Sequence, residues 1–211
     1  MAPQGAARGP PMLPHVPIRL AILSSHAGTT AQAVIDALAD GRIDGTAVLL
    51  ICNNSDAEVL DRAHSAGIAT AVLNGRTHPD AEELDRAVLA AVSNAGASHI
   101  LLAGYMKKLG PLTVGAYEGR VFNSHPALLP AFGGQGMYGD RVHTAVLAAG
   151  VERTGATVHL VSDYYDAGEI VRQVEVEVLS GDDVISLGER VRAAERDLLV
   201  DVLAEVARTA D

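Results

Sequence analysis

The run Val121-Phe122-Asn123-Ser124-His125-Pro126-Ala127-Leu128-Leu129-Pro130 places an amide and an imidazole two residues apart. On an extended chain, residues i and i+2 point to the same side. Asn123 and His125 therefore project together, and Pro126 ends the strand. Asparagine supplies an uncharged hydrogen-bond donor. Histidine can donate to a developing oxyanion or move protons near neutral pH. Downstream, Ser162-Asp163-Tyr164-Tyr165-Asp166-Ala167-Gly168 offers two carboxylates able to orient or charge the histidine. Spacing alone does not choose between Asp163 and Asp166. Asp166 also reads as an ordinary turn residue, with Gly168 taking positive φ. Amide, imidazole and carboxylate together suit a reaction that passes through an oxyanion.

Other residues stand out less sharply. Ser25-His26-Ala27-Gly28-Thr29-Thr30 sits between a strand and a helix. It reads either as a phosphate seat built on a helix N-terminus or as a plain turn capped by Thr29. It is neither GxGxxG nor a P-loop. Glu195 falls on the apolar face formed by Val184, Leu187, Val191, Leu198, Val202 and Val206. A carboxylate there has a buried partner or reaches a ligand, and a salt bridge to a nearby arginine is the first expectation. Lys107 and Lys108 could meet an anionic tail, although a solvated pair is the simpler reading. Cys52 ends an apolar run and reads as a small core residue.

Composition narrows the function classes. The chain has 211 residues, 48% of them hydrophobic and 20% charged, which suits one globular domain. Net charge is -10, aromatics are 3% and Trp is absent. Nucleic acid and anionic membrane are poor partners for such a surface, leaving small molecules. The eight histidines show no HxH or HExxH spacing, so no metal is expected. Residues 1–17 hold five of the nine prolines and no apolar core, and read as a disordered tail rather than a signal. A cytoplasmic protein is expected, and a homodimer is compatible with the sequence.

The elements that must carry these residues alternate. Strands are predicted over 18–24, 46–52, 69–73, 98–103, 120–123, 156–161 and 170–178. Helices are predicted over 29–40, 57–66, 80–95 and 141–149, followed by a long final helix. This order predicts a single α/β domain over 18–211, a Rossmann-like wound fold with a mostly parallel central sheet. The short link between the last two strands allows one antiparallel strand. Loops at 24–30, 53–56, 104–108, 123–126 and 162–168 are expected to face one cleft.

The blocks Leu102-Ala103-Gly104-Tyr105-Met106, Asn123 to Pro130, and Gly155-Ala156-Thr157-Val158-His159 leading to Asp166-Ala167-Gly168 resemble the glycinamide ribonucleotide formyltransferase family. Its members are folate-dependent enzymes of purine synthesis. The resemblance implies transfer of a formyl group from 10-formyltetrahydrofolate, as co-substrate, to the amine of glycinamide ribonucleotide. It implies that Asn123 and His125 stabilise the oxyanion and that Asp166 keeps His125 charged. It implies ribonucleotide contacts at Gly28, Thr29, Thr30 and Glu195. It implies a folate site at Met106, Lys107, Lys108, Leu109, Asn123, Ser162, Asp163, Tyr164, Tyr165 and Asp166. The chain departs from the family in its 25–30 loop, in having Ala81 where an arginine is common, and in its glycine-rich 133–139 segment. A formyltetrahydrofolate deformylase, or a formyltransferase acting on another small amine, is the alternative. Some relatives carry an N-terminal regulatory or a second C-terminal domain; residues 1–17 and the stretch after the last helix are expected to be too short for either, which favours the first reading.

Overall fold

The computed structural model describes residues 16–209. Most of the expected proline-rich tail lies outside the described residues. Thirteen elements follow in order: β1 Ile18–Ser24, α1 Thr29–Ala39, β2 Gly45–Cys52, α2 Glu58–Ser65, β3 Thr70–Val72, α3 Ala81–Asn94 and β4 His99–Leu102. Then come α4 Pro111–Ala116, β5 Val121–His125, α5 Asp140–Ala149, β6 Arg153–Leu160, β7 Ile170–Glu177 and α6 Val184–Thr209. They form a seven-stranded sheet in the order β3-β2-β1-β4-β5-β6-β7. β1 to β5 run parallel, and β6 pairs antiparallel with both β5 and β7.

Strand alternation sorts the core into two layers. Ile18, Leu20 and Ile22 of β1 pack against α1, α2 and α6, while Ala21 and Leu23 face α3 and α4. Both faces are covered, so the inner strands read as continuous apolar runs. Cys52 is buried in the first layer, as its setting implied. A third cluster joins Val142 and Val146 of α5 to Leu187 and Val191 of α6. No helix among the described residues is long and apolar enough to cross a membrane.

Two differences from the sequence expectations matter for the site. β5 continues through Ser124 and His125, because His125 pairs with Thr157 of β6. The helix α4 was not expected at all. Its N-terminal amides on Leu112 and Thr113 are capped by Asp85, a buried residue of α3. Asp85 is thus a tertiary cap for α4, not merely one of the acidic residues that suit the dipole of its own helix.

Candidate active site

A cavity of about 240 Å³ lies against β5 and β6 and is walled by the segments 104–109, 134–139 and 162–166. Asn123, His125 and Asp166 all line it. The alternation of β5 brings Asn123 and His125 to one face, and His159 of β6 joins them through its pairing with Asn123. Sequence reasoning gave His159 no role. The signal was an imidazole ending an otherwise apolar strand, on a strand whose reversed direction was not fixed.

His159 is buried, and its Nδ1–H donates to the Leu160 carbonyl at 2.9 Å. That leaves Nε2 to accept from the Asn123 amide nitrogen at 3.0 Å. One Asn123 N–H is thereby fixed, and the second has no partner among the described residues. His125 is also buried. Its Nε2–H donates to the Phe132 carbonyl at 2.8 Å, and its Nδ1 lies 3.5 Å from Asp166 Oδ2. Asp166 accepts a hydrogen bond from the Gly134 amide at 2.9 Å and lies 3.6 Å from His159 Nε2. Asp163 is exposed and does not line the cavity, so the choice between the two carboxylates falls on Asp166.

Among the described residues two non-glycine residues hold left-handed backbone, Phe132 at φ 55° and Asp166 at φ 51°, and both flank His125. Such conformations cost on the order of 1–3 kcal/mol each and persist where the surroundings fix them. The positive φ expected at Gly168 belongs instead to Asp166. Glycine is needed at 168 for close approach: a Cβ there would lie 1.7 Å from the Leu160 carbonyl oxygen.

Electrostatics separates the groups. Burial pushes the His125 pKa below its ordinary value, with Asp166 and the Phe132 carbonyl only partly offsetting it. In the free protein desolvation outweighs the single carboxylate, so Asp166 raises the ring's pKa without restoring its ordinary value. Burial raises the Asp166 pKa, but the two imidazoles and the Gly134 amide lower it further, and the net lies below the usual carboxylate range. A neutral imidazole thus faces an ionised carboxylate.

The cavity is also lined by Thr30, Ser124, His143, Arg192 and Glu195. Glu195 is 8% exposed and burial pushes its pKa up. The expected arginine salt bridge is not formed. Instead Ser124 Oγ donates to Glu195 Oε1 at 2.5 Å, and Arg192 lies 3.7 Å from Asp140. His143 on α5, also missed in the sequence, is buried with Nδ1 unpartnered among the described residues.

Of the 25–30 loop, Thr30 lines the cavity, while Gly28 and Thr29 do not. Gly28 holds the N-cap position of α1 at φ 70°, and no side chain caps the helix, so Thr29 is not the cap. A Cβ at Gly28 would lie 2.2 Å from Val59 Cγ2. Met106, Lys107, Lys108, Leu109, Ser162, Tyr164 and Tyr165 line the cavity. Both lysines are also exposed, so the solvated reading and the cavity reading describe the same side chains. Ser25, buried beyond β1, accepts a hydrogen bond from the Met106 amide at 2.8 Å and joins the two loops. The 53–56 loop departs from expectation. Asn53 and Asn54 line a second cavity of about 380 Å³ with His26, Asn74, Arg76 and Lys107.

Comparison with known proteins identifies the family. The chain is 35% identical to phosphoribosylglycinamide formyltransferase of Escherichia coli over 178 residues, 84% of this chain and 82% of that one. It is 37% identical to the chloroplastic phosphoribosylglycinamide formyltransferase of Arabidopsis thaliana over 189 residues, 89% of this chain. It spans 65% of the Arabidopsis protein and 59% of the Vigna unguiculata one. The crystal structure of glycinamide ribonucleotide transformylase 1 from Symbiobacterium toebii superposes with a TM-score of 0.86 at 32% identity, covering 96% of this chain and 93% of that one. The profile of the formyl transferase family matches residues 18–203. The chain belongs to the formyl transferase family.

Proposed function

We propose that this protein transfers the formyl group of 10-formyltetrahydrofolate to the amine of glycinamide ribonucleotide, as a cytoplasmic enzyme of purine synthesis acting on small molecules. The observation that carries the reading is the meeting of Asn123, His125 and Asp166 in one cavity that Glu195 also lines. The names of the bacterial relatives support the same acceptor.

The donor supplies an activated formyl carbon, and the protein's part is placement, charge stabilisation and proton transfer. Attack by the amine turns the formyl oxygen into an oxyanion. The free N–H of Asn123 is the donor best placed for that charge, because His159 holds the amide in orientation. His125 has its one N–H on the Phe132 carbonyl and becomes a second donor by taking up the attacking amine's proton at Nδ1, which negative charge developing beside it favours. Asp166, ionised and 3.5 Å from that Nδ1, holds the imidazolium so formed, and the proton passes to N10 of the donor as the tetrahedral intermediate collapses and the bond from N10 to the formyl carbon breaks. Holding amine and formyl carbon together supplies much of the rate.

The donor pocket is formed by 106–109 and by Ser162, Tyr164, Tyr165 and Asp166. The uncapped N-terminus of α1 at Gly28, Thr29 and Thr30 suits the ribonucleotide phosphate, since its first amides lack a side-chain partner. Arg76 and Lys107, which line the second cavity, suit the donor's glutamyl carboxylates.

The test is a steady-state assay with 10-formyltetrahydrofolate, with and without glycinamide ribonucleotide, following tetrahydrofolate, formate and formylated product. Product formation that requires the ribonucleotide supports the reading. Formate release without it points to a deformylase, and no turnover in either case overturns both.

A further inference from the structure

Ser124 stands between Asn123 and His125 on β5, yet its side chain takes the opposite face of the sheet. There it meets α6, and its hydroxyl donates to Glu195 Oε1 at 2.5 Å. This is the only hydrogen bond that a described residue makes to Glu195, which forms no ion pair among the described residues. Two carboxylates line the cavity. Asp166 stands beside His125, and Glu195 is the one bonded to Ser124 instead.

A buried carboxylate with one partner is held in one orientation by that partner. The bond occupies Oε1 and leaves Oε2 without a protein partner. We propose that Ser124 is a positioning residue for the acceptor: it pins Glu195 so that Oε2 is presented to hydroxyl groups of a sugar phosphate. The proposal rests on the functional reading above for the identity of that ligand. Because Ser124 shares β5 with Asn123 and His125, the same strand then sets both the oxyanion donors and the acceptor's seat.

The chemistry at this position is specific. A hydroxyl can satisfy a carboxylate and still leave its charge, whereas an alkyl side chain would leave a buried carboxylate unpaired. Burial pushes the Glu195 pKa up, and the Ser124 hydroxyl, Arg196 and Arg192 pull it down. The other titratable groups lining this cavity from β5 and α5 are His125 and His143.

The experiment compares Ser124→Ala, Ser124→Thr, Glu195→Gln and the Ser124→Ala/Glu195→Gln pair. For Ser124→Ala, the acceptor KM should rise roughly 10-fold or more, a loss typical of a hydrogen bond to a charged group. kcat and the donor KM should stay within about twofold, and Ser124→Thr should restore the acceptor KM. In the Glu195→Gln background, Ser124→Ala should add little, because the two act as one unit. An unchanged acceptor KM, an equal loss in kcat, or additive losses in the pair would overturn the proposal. Carboxyl-carbon NMR on the free protein separates this from failure of the functional reading. Ser124→Ala should move the Glu195 titration to higher pH with no substrate present. An unmoved titration overturns the pinning whatever the acceptor is, and a wild-type enzyme inactive with the ribonucleotide overturns only the acceptor's identity.

Discussion

The Asn123 amide nitrogen lies 3.0 Å from His159 Nε2, and the other ring nitrogen of His159 is committed to the Leu160 carbonyl. The imidazole can therefore only accept from Asn123, which fixes which way the amide turns. His159→Ala should lower kcat by about 10- to 100-fold, less than the loss of a whole oxyanion donor, which costs roughly 10²–10³. KM values should change little. A kcat within twofold of wild type would show that Asn123 does not depend on this contact.

His125→Ala should lower kcat by roughly 10²–10⁴, the range for a lost general acid–base or oxyanion group. Its urea midpoint should shift modestly, because the ring borders a cavity and is not packed in the apolar core. Near-normal turnover in a folded variant would remove His125 from the chemistry.

Gly28→Ala meets two obstacles at once. The backbone is left-handed at φ 70°, and the new Cβ would lie 2.2 Å from Val59 Cγ2. The cost should be about 2–3 kcal/mol in urea unfolding, the left-handed strain plus overpacking. The acceptor KM should rise more than the donor KM, since α1 begins here. An equal rise in both would place the phosphate elsewhere.

Acid should destabilise the fold through its buried histidines. Burial lowers the pKa of His99, His125 and His143. From about pH 6.5 downward the unfolded chain binds protons that the folded chain refuses, so stability falls as pH falls. Glu195, with its raised pKa, works in the opposite direction over part of this window. Between pH 7 and 5.5 the urea midpoint should drop, and His143→Gln should flatten that slope. A slope unchanged in this variant would mean that His143 binds its proton equally in the folded and unfolded chain.

Asp85→Ala should cost about 2 kcal/mol of stability, because α4 loses a buried cap that serves the amides of Leu112 and Thr113 and the Thr113 hydroxyl. The donor KM should rise as well, since α4 anchors the chain just after the 104–109 wall. Thermal unfolding and donor titration would show the two effects together.

The sheet was legible because its strands are apolar runs and its helices carry clear stripes. Asn123 and His125 were legible through strand alternation, and Asp166 as a candidate through its position beyond β6. What escaped depends on contacts across the chain. The cap of α4 comes from Asp85 on another helix. His159 gains its role only from the register of β6 against β5. The partner of Glu195 is a serine distant in sequence, which no pattern along α6 reveals. The 53–56 loop opens beside the main cleft because β2 and β3 lie toward the far edge of the sheet.

The hydrogen bond from the Met106 amide to Ser25 Oγ ties the proposed phosphate loop to the proposed pterin loop. A shift of one loop loads the other. Any help that a bound nucleotide gives to donor binding must then be returned in equal measure when the donor binds first. Whichever ligand arrives first, the second enters a site whose far wall has already been braced.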